Sequence, residues 1–187
     1  RSEDMELRRV KVDVSKLPRP WMLPEYKELR VTPFGDLQIA PGTTNFARID
    51  RYIASSVRMK AFMLGMGDYA DFASPSNRRI IAEAQAGLYD SALDTIDRAA
   101  EPALKLTLEH LAPMKGRFLG LIRGHHWCQF AGNKGDSTTW LAGQLGTSNL
   151  GDCVMIELDF GEGLKAYIWA HHGTGSGMVS TSALTRL

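Results

Sequence analysis

Four short apolar runs in this chain are each followed directly by acidic residues or histidines, and this arrangement constrains the fold more than any other feature. The runs cover residues 29–34, 61–65, 118–122 and 166–170. Runs of this length and composition are typical of strands that are buried on both faces. The polar residues that follow them are Asp36, Asp68, His125–His126 and His171–His172. Because ligand sites of layered α/β folds lie at the carboxyl ends of strands, we predict that these side chains meet at one edge of one sheet.

The chemistry of these side chains indicates a metal site. Carboxylate oxygens and imidazole nitrogens together suit a hard or borderline divalent cation. Adjacent histidines at 125 and 126 are hard to explain by packing, because each ring nitrogen needs a partner. Ordinary structural explanations compete for two of the acidic groups: Asp36 would also suit a turn, and Asp68 would also suit a helix cap.

Charge and cysteine content narrow the function classes. The chain has 187 residues, about one domain, and a formal net charge of +1. Nucleic acid or an anionic membrane would therefore not be attracted over long distances, and any phosphate-bearing partner needs a local site. No apolar stretch approaches a membrane span. Cys128 and Cys153 match no zinc-knuckle spacing, and free thiols in a reducing compartment, the cytoplasm, are favoured over a disulfide.

Local patterns predict an α/β organisation. We expect a helix over about 45–59, and helical spacing over 76–111 that Pro102 kinks or divides into two helices. Another short helix should follow Asp136, and strands over 154–160 and 164–170 should form a hairpin. Three prolines predict that residues 1–28 are an extended arm that packs across the domain. The ends of the chain predict a fragment, with a domain over 29–187 that lacks its C-terminal portion.

The order of the polar motifs resembles that of the calcineurin-like metallophosphoesterases. That family carries D-x-[HQ], G-D-x-x-D, G-N-H-[DE] and a strand-terminal histidine, and this chain has related motifs at 36–38, 67–71, 124–127 and 171–173. The resemblance spans residues 29–177. It implies a layered α/β/β/α sandwich of the metallophosphoesterase type, incomplete at its C-terminus. It also implies two divalent metal ions, with Mn²⁺ favoured and Zn²⁺, Fe²⁺ and Mg²⁺ as alternatives.

The resemblance implies a set of metal ligands. They are Asp36, Gln38, Asp68, His125, His171 and His172. Asp68 would bridge two ions roughly 3.5–4 Å apart. Of His171 and His172 only one should bind the second metal, and the motif does not choose between them.

Three further residues receive catalytic roles by the same resemblance. His126 would stabilise or protonate the leaving-group oxygen, and Asp71 would hydrogen-bond its other ring nitrogen. Arg123 would reach a phosphoryl oxygen, with a surface salt bridge as the equally weighted alternative.

The implied activity is direct hydrolysis of a phosphate ester, by a hydroxide that bridges the two metals, provided that the full-length protein supplies the ligands of the missing closing motif. The substrate would be a phosphodiester, with nucleic acid as one option, and forms this divergent are associated with phage and bacterial genomes. Four departures support an alternative, a non-catalytic module with a structural or interaction role. Gln38 stands where many members have His, His125 stands where the family has Asn, Trp127 replaces an acidic residue, and no closing Gly-His-x-His precedes Leu187.

Overall fold

A computed structural model of the chain describes residues 6–19, 27–40, 44–71, 89–130 and 135–173. Its strands are β1 (Glu6–Lys11), β2 (Val31–Phe34), β3 (Phe62–Gly65), β4 (Phe118–Leu121), β5 (Cys153–Asp159) and β6 (Lys165–His171). Its α-helices are α1 (Phe46–Arg58), α2 (Asp90–Leu111) and α3 (Ser137–Leu145), with short 3₁₀ segments at Val14–Lys16 and Ala112–Met114. The predicted α/β class is confirmed.

Within the described segments, the strands form two sheets of three strands each. β2, β3 and β4 are parallel in that order, so their carboxyl ends at Phe34, Gly65 and Leu121 lie at the same edge. The second sheet has the order β1-β5-β6, with β5 and β6 joined as the predicted antiparallel hairpin. The prediction of one sheet is therefore wrong for β6. The hairpin pairs β6 with β5 along its whole length, and this places β6 in the second sheet.

The described part of the N-terminal arm contains a strand, β1, and the short 3₁₀ segment at Val14–Lys16, so the prediction of an extended arm holds for β1 but not for Val14–Lys16. β1 pairs in parallel with β5, in a register that runs from Glu6 opposite Val154 to Lys11 opposite Asp159. The prolines of the arm predict an extended conformation but contain no information on a pairing partner. β1 fills the edge of β5 that the hairpin leaves open.

Two of the helices begin at side-chain caps that the sequence predicts. Asn45 Oδ1 accepts a hydrogen bond from the Arg48 backbone N–H at 3.1 Å, and Asp136 Oδ1 accepts one from Thr139 at 2.8 Å. Each bond satisfies a backbone donor in the first helical turn, where no intrahelical acceptor is available. α3 ends at Gly146, whose φ of 70° is a left-handed conformation that glycine adopts without strain.

The long helix α2 continues through Pro102 from Asp90 to Leu111. The alternative in which a second helix starts at this proline is therefore wrong. Ala100, Ala103, Leu104 and Leu111 are buried on one face, which anchors the helix on both sides of the proline. Residues 76–88 of the predicted helical segment lie outside the described residues.

The core has two main parts, one on each face of the β2-β3-β4 sheet. On one face, Ile53 of α1, Leu111 of α2 and Leu141 of α3 pack in a cluster with Met63. On the other face, Leu64 packs in a cluster with Ile156 of the second sheet. β3 is therefore buried on both sides, which explains its uninterrupted apolar sequence. The helices in the described segments lack the combined length and apolar character that crossing a membrane requires.

Candidate metal centre

Asp68, His125 and His172 meet at the carboxyl edge of the β2-β3-β4 sheet. They follow β3, β4 and β6 respectively, and one potential ligand atom from each lies within 4.8 Å of the others. Nε2 of His172 is 3.2 Å from Oδ2 of Asp68, and the rings of His125 and His172 meet edge to face at 4.7 Å between centroids. One carboxylate and two imidazoles are a donor set that fits a borderline divalent cation.

The hydrogen bond of His172 fixes which ring nitrogen faces Asp68. Nδ1 lies 2.5 Å from the backbone carbonyl oxygen of Met66. Since a carbonyl oxygen only accepts, Nδ1 carries the proton and donates it, which leaves a lone pair on Nε2 in the neutral ring. That lone pair points toward a carboxylate oxygen, and Asp68 is only 5 % exposed. The arrangement becomes attractive only when a cation or a second proton lies between the two atoms.

A second hydrogen bond orients the Asp68 carboxylate. Its Oδ1 accepts from the backbone N–H of His126 at 2.7 Å, so that Oδ2 is the oxygen close to His172. The loop after β4 therefore contributes both a backbone donor that holds Asp68 and the neighbouring side chain of His125. This is the kind of supporting contact that orients a carboxylate ligand before an ion binds.

The backbone at this edge adopts conformations that residues other than glycine rarely adopt. Asp36, Gln38 and Asp68 have φ values of 51°, 44° and 53°, all in the left-handed region. Backbone hydrogen bonds hold these segments together, since Asp36 N–H donates to Gly67 O and Gln38 N–H donates to Asp68 O. Non-glycine residues in this region are uncommon and are concentrated at functional sites.

Two glycines let the loops approach each other closely. A Cβ atom on Gly124 would collide with Asp68 Oδ1, and one on Gly67 would lie 2.6 Å from the Gly124 Cα and 2.7 Å from His172 Nδ1. In this arrangement of the loops, neither position has room for a side chain. The glycine in each of the two motifs is thus explained by the close contact between the loops, which the motifs themselves do not show.

Asp71 and His126 form the contact that the resemblance implies. Nδ1 of His126 is 3.1 Å from Oδ1 of Asp71, and the His126 side chain is 15 % exposed. With the Nδ1 proton donated to this carboxylate, Nε2 is the ring nitrogen that remains for another partner. The catalytic role of the pair stays a prediction.

His171 and His172 differ in their surroundings. His172 belongs to the three-residue group, whereas the ring of His171 stacks parallel to that of Trp169 at 5.9 Å. Nδ1 of His171 accepts a hydrogen bond from the Gly173 backbone at 2.8 Å. Strand alternation explains the difference, because His171 pairs with Cys153 and shares the outward face of β6 with Trp169.

Asp36 lies outside this group, and Gln38 follows it in the same loop. Among the His, Cys, Asp and Glu side chains of the described residues, Asp68, His125 and His172 form the group that could hold an ion. Asp36 and Gln38 instead line a neighbouring cleft together with Asp71. A second ion held by Asp36 and Gln38 stays a prediction.

Arg123 forms a salt bridge with Asp152. Its Nε and Nη2 donate to the two carboxylate oxygens at 2.6 and 2.7 Å, and its guanidinium group lies over the ring of Trp127 at 4.5 Å. The hydrogen bond from Arg123, together with the charge of its guanidinium group, lowers the pKa of Asp152. This geometry corresponds to the salt-bridge alternative that the sequence left open.

Sequence reasoning missed Asp152 and Tyr69. Asp152 precedes β5 instead of following a strand, so the pattern of strand-terminal polar residues does not include it. Tyr69 is buried, and its hydroxyl donates to Ile122 O at 2.8 Å, which ties the loop after β3 to the end of β4. Burial raises the pKa of this hydroxyl. In the sequence, the feature that could have identified Tyr69 is its position inside the Gly-Asp-x-x-Asp motif.

The remaining histidine and the cysteines lie outside the group. His110 contacts Asp50 through Nδ1 at 2.6 Å and stacks on Phe46, so it connects α2 to α1. Cys128 and Cys153 do not form a disulfide.

Comparison of the chain with models of protein families, with characterised proteins and with solved structures finds no match. The geometry of the site therefore carries the functional argument.

Proposed function

We propose that the chain is a metal-dependent hydrolase of phosphate esters, of the phosphodiesterase or nuclease type, similar to the calcineurin-like metallophosphoesterases. The observation that carries this proposal is the approach of His172 Nε2 to Asp68 Oδ2 at 3.2 Å, with His172 Nδ1 already bound to a carbonyl oxygen. In the same proposal the two sheets belong to an α/β/β/α sandwich, and His125 completes the ligand group.

The ligand group suits the ions that the resemblance implies. Two imidazoles with one carboxylate favour Mn²⁺, Zn²⁺ or Fe²⁺ over Ca²⁺, which prefers oxygen donors alone. Such an ion, when bound, lowers the pKa of water and neutralises charge on phosphoryl oxygens. Asp36, Gln38 and Asp68 would hold the second ion. The backbone hydrogen bonds from Asp36 to Gly67 O and from Gln38 to Asp68 O support this assignment, because they hold the loop after β2 against Asp68.

The protein groups around the ions have separate tasks in this proposal. Asp71 accepts a hydrogen bond from Nδ1–H of His126. When the ring carries a proton on both nitrogens, Nε2 would donate its proton to the leaving-group oxygen and the ring would become neutral. Arg123 has Nε and Nη2 bound to Asp152, and its Nη1, 3.8 Å from Asp136, is the nitrogen that would reach a phosphoryl oxygen. The salt bridge also keeps Arg123 stacked on Trp127 in the loop that carries His125 and His126.

The proposed substrate is a phosphodiester, with nucleic acid as one option. A net charge of +1 gives no global attraction for a polyanion, which favours a short or small-molecule ester held by local contacts. Two cysteines without a disulfide fit a reducing compartment, and we place the protein in the cytoplasm.

The test compares His172→Ala with His110→Ala as the matched control. His110 lies on α2 and contacts Asp50, so its removal leaves the ligand group intact. We expect that wild type and His110→Ala bind Mn²⁺ and hydrolyse bis-p-nitrophenyl phosphate. His172→Ala should lose at least about tenfold in Mn²⁺ affinity, as expected when one imidazole ligand is removed, and should lose hydrolysis. Metal content would be measured by mass spectrometry and affinity by calorimetry.

Two results would contradict the proposal in different ways. Equal Mn²⁺ affinity in His172→Ala and wild type would show that the three-residue group is not the metal site. Mn²⁺ binding that depends on His172, with no hydrolysis of any phosphate ester, would support the alternative in which the module has a structural role.

A further inference from the structure

A cleft of about 870 Å³ lies between α1 and the loop that follows β2. Its volume is within the range of small-molecule sites, roughly 300–1,000 Å³. Asp36, Gln38 and Asp71 line it on the side of the sheet edge, and Arg48, Arg51 and Tyr52 line it on the side of α1. One wall of the cleft therefore carries acidic groups, and the other carries basic groups.

The acidic wall connects the cleft to the candidate metal centre. Asp71 lines the cleft, and its carboxylate contacts the ring of His126 at 3.1 Å. The backbone of Asp36 donates to Gly67 O, directly before Asp68. A molecule held at the metal centre would therefore have the cleft immediately beside it.

The basic wall consists of two arginines, Arg48 and Arg51. Arg48 and Arg51 are exposed and lie three residues apart in α1, a spacing that places their side chains on the same face. In the segments that the structure describes, no acidic side chain pairs with either guanidinium group. Arg9, Arg30 and Arg123, in contrast, each bind a carboxylate. Two like charges facing one cleft are stabilised when an anion binds between or across them.

The α1 side of the cleft also carries an aromatic ring, that of Tyr52. Phe34 and Ile49 are 4 % and 8 % exposed, while Tyr52 stacks on Phe34 at 5.6 Å and is 41 % exposed. The Tyr52 hydroxyl donates to the Pro33 carbonyl oxygen at 2.8 Å, which fixes the ring on the cleft wall. A fixed, half-exposed aromatic ring suits contact with a flat or apolar organic group.

We propose that the cleft binds the organic group of the substrate and that Arg48 and Arg51 bind a second anionic group on it. The substrate class is thus a phosphate ester whose organic part carries a further phosphate or carboxylate. This inference rests on the proposed function, because it places the phosphate that reacts at Asp68, His125 and His172. Water forms the new bond to phosphorus, and the ester oxygen leaves with its bonding electron pair and takes up a proton.

The catalytic test uses two substrates that differ by one phosphate group. They are thymidine 5′-(p-nitrophenyl phosphate) and the same compound with a 3′-phosphate, and both release p-nitrophenol. We expect Mn²⁺-loaded wild type to have the lower KM for the 3′-phosphorylated substrate. The double variant Arg48→Gln/Arg51→Gln should raise that KM about tenfold, as expected for the loss of a charge-assisted contact. The KM for the parent substrate, which has no 3′-phosphate, should rise much less, so that the two KM values become similar.

Arg58→Gln is the matched control, because Arg58 lies in the last turn of the same helix and contacts Ser55. It should behave as wild type. The same ratio of the two KM values in wild type and in the double variant would overturn the proposal, and it would leave the hydrolase function standing.

A binding measurement separates failure of the cleft from failure of the proposed function. Calorimetry with metal-free protein would compare thymidine 3′,5′-bisphosphate with thymidine 5′-phosphate. We expect wild type to prefer the bisphosphate and the double variant to lose that preference. If neither nitrophenyl ester is hydrolysed but this preference is observed, the hydrolase proposal fails and the anion subsite is supported. If wild type shows no preference that depends on Arg48 and Arg51, the subsite is overturned.

Discussion

At the scale of single residues, one hydrogen bond decides the character of the candidate site. Donation from His172 Nδ1 to Met66 O leaves Nε2 as an acceptor, and Asp68 presents another acceptor to it at 3.2 Å. Without an ion or an added proton, this contact would be unfavourable in a buried position. The same residues in a chain that lacked the Met66 contact could form an ordinary histidine–aspartate hydrogen bond.

We predict that Gly124→Ala disrupts the metal centre. A methyl group at this position would collide with Asp68 Oδ1, so that either the loop after β4 or the Asp68 carboxylate must move. Mn²⁺ affinity, measured by calorimetry, should fall at least about tenfold, because a small displacement of a ligand removes most of its bond to the ion.

Gly143→Ala is the control for this substitution. Gly143 lies in α3, and a Cβ atom there would meet nothing within 4 Å. Alanine should stabilise that helix by roughly 0.5–1 kcal/mol, with no change in Mn²⁺ affinity. Unchanged affinity in Gly124→Ala would show that the close approach of the two loops does not matter for binding.

At the scale of elements, polar side chains around Glu157 connect the three strands of the second sheet. Glu157 of β5 accepts hydrogen bonds from Arg9 of β1 at 2.6 Å and from Tyr167 of β6 at 2.8 Å, and Lys165 lies 3.1 Å away. These contacts, the hydrogen bond from Tyr167 foremost, lower the pKa of Glu157 to about 2. Cross-strand pairs of this kind help to set strand register.

The direction of this pKa shift predicts the pH dependence of stability. Since the folded protein lowers the pKa of Glu157 from 4.5 to about 2, the contribution of the carboxylate is complete above pH 4.5. It is lost as the pH falls toward 2. We expect Glu157→Gln to be less stable than wild type at pH 7, with the difference shrinking between pH 4.5 and 2.

Urea unfolding at several pH values would measure this effect, with Glu109→Gln on the exposed side of α2 as the control. The control should show no such pH-dependent difference. A difference between Glu157→Gln and wild type that stays constant down to pH 2 would contradict the prediction.

At the scale of the whole molecule, the two sheets depend on one shared core. Leu64 and Leu119 of the first sheet and Ile156 and Leu158 of the second belong to the same buried cluster. The candidate metal centre needs this packing, because His172 follows a strand of the second sheet while Asp68 follows a strand of the first.

We predict that Ile156→Ala destabilises the fold by about 2–5 kcal/mol, the usual cost of truncating a fully buried isoleucine to alanine. The neighbouring Met155→Ala is the control, since this residue alternates to the outer face of β5 and is only partly buried. The free energy of unfolding, measured by denaturant unfolding, should fall clearly less in Met155→Ala than in Ile156→Ala. Equal losses at the two positions would show that the sheets do not share a core at Ile156.

Local features of the sequence were sufficient to predict several elements. The caps at Asn45 and Asp136 act within three residues, so they identify the starts of α1 and α3 without any knowledge of the fold. The turn at 161–163 likewise pairs β5 with β6 over a short distance. Motif order alone also selected Asp68, His125 and His172 as members of the candidate site, within a larger set.

The tertiary structure decided what depends on distant partners. Pairing of β6 with β5 along its whole length placed β6 in a second sheet, and strand alternation in that sheet turned His171 outward. Arg123 contacts Asp152 because the loop after β4 packs beside the start of β5. Helix caps and tight turns form within a few residues, so the sequence alone determined them. Strand partners and side-chain contacts depend on which apolar faces are buried together, so only the assembled fold could determine those.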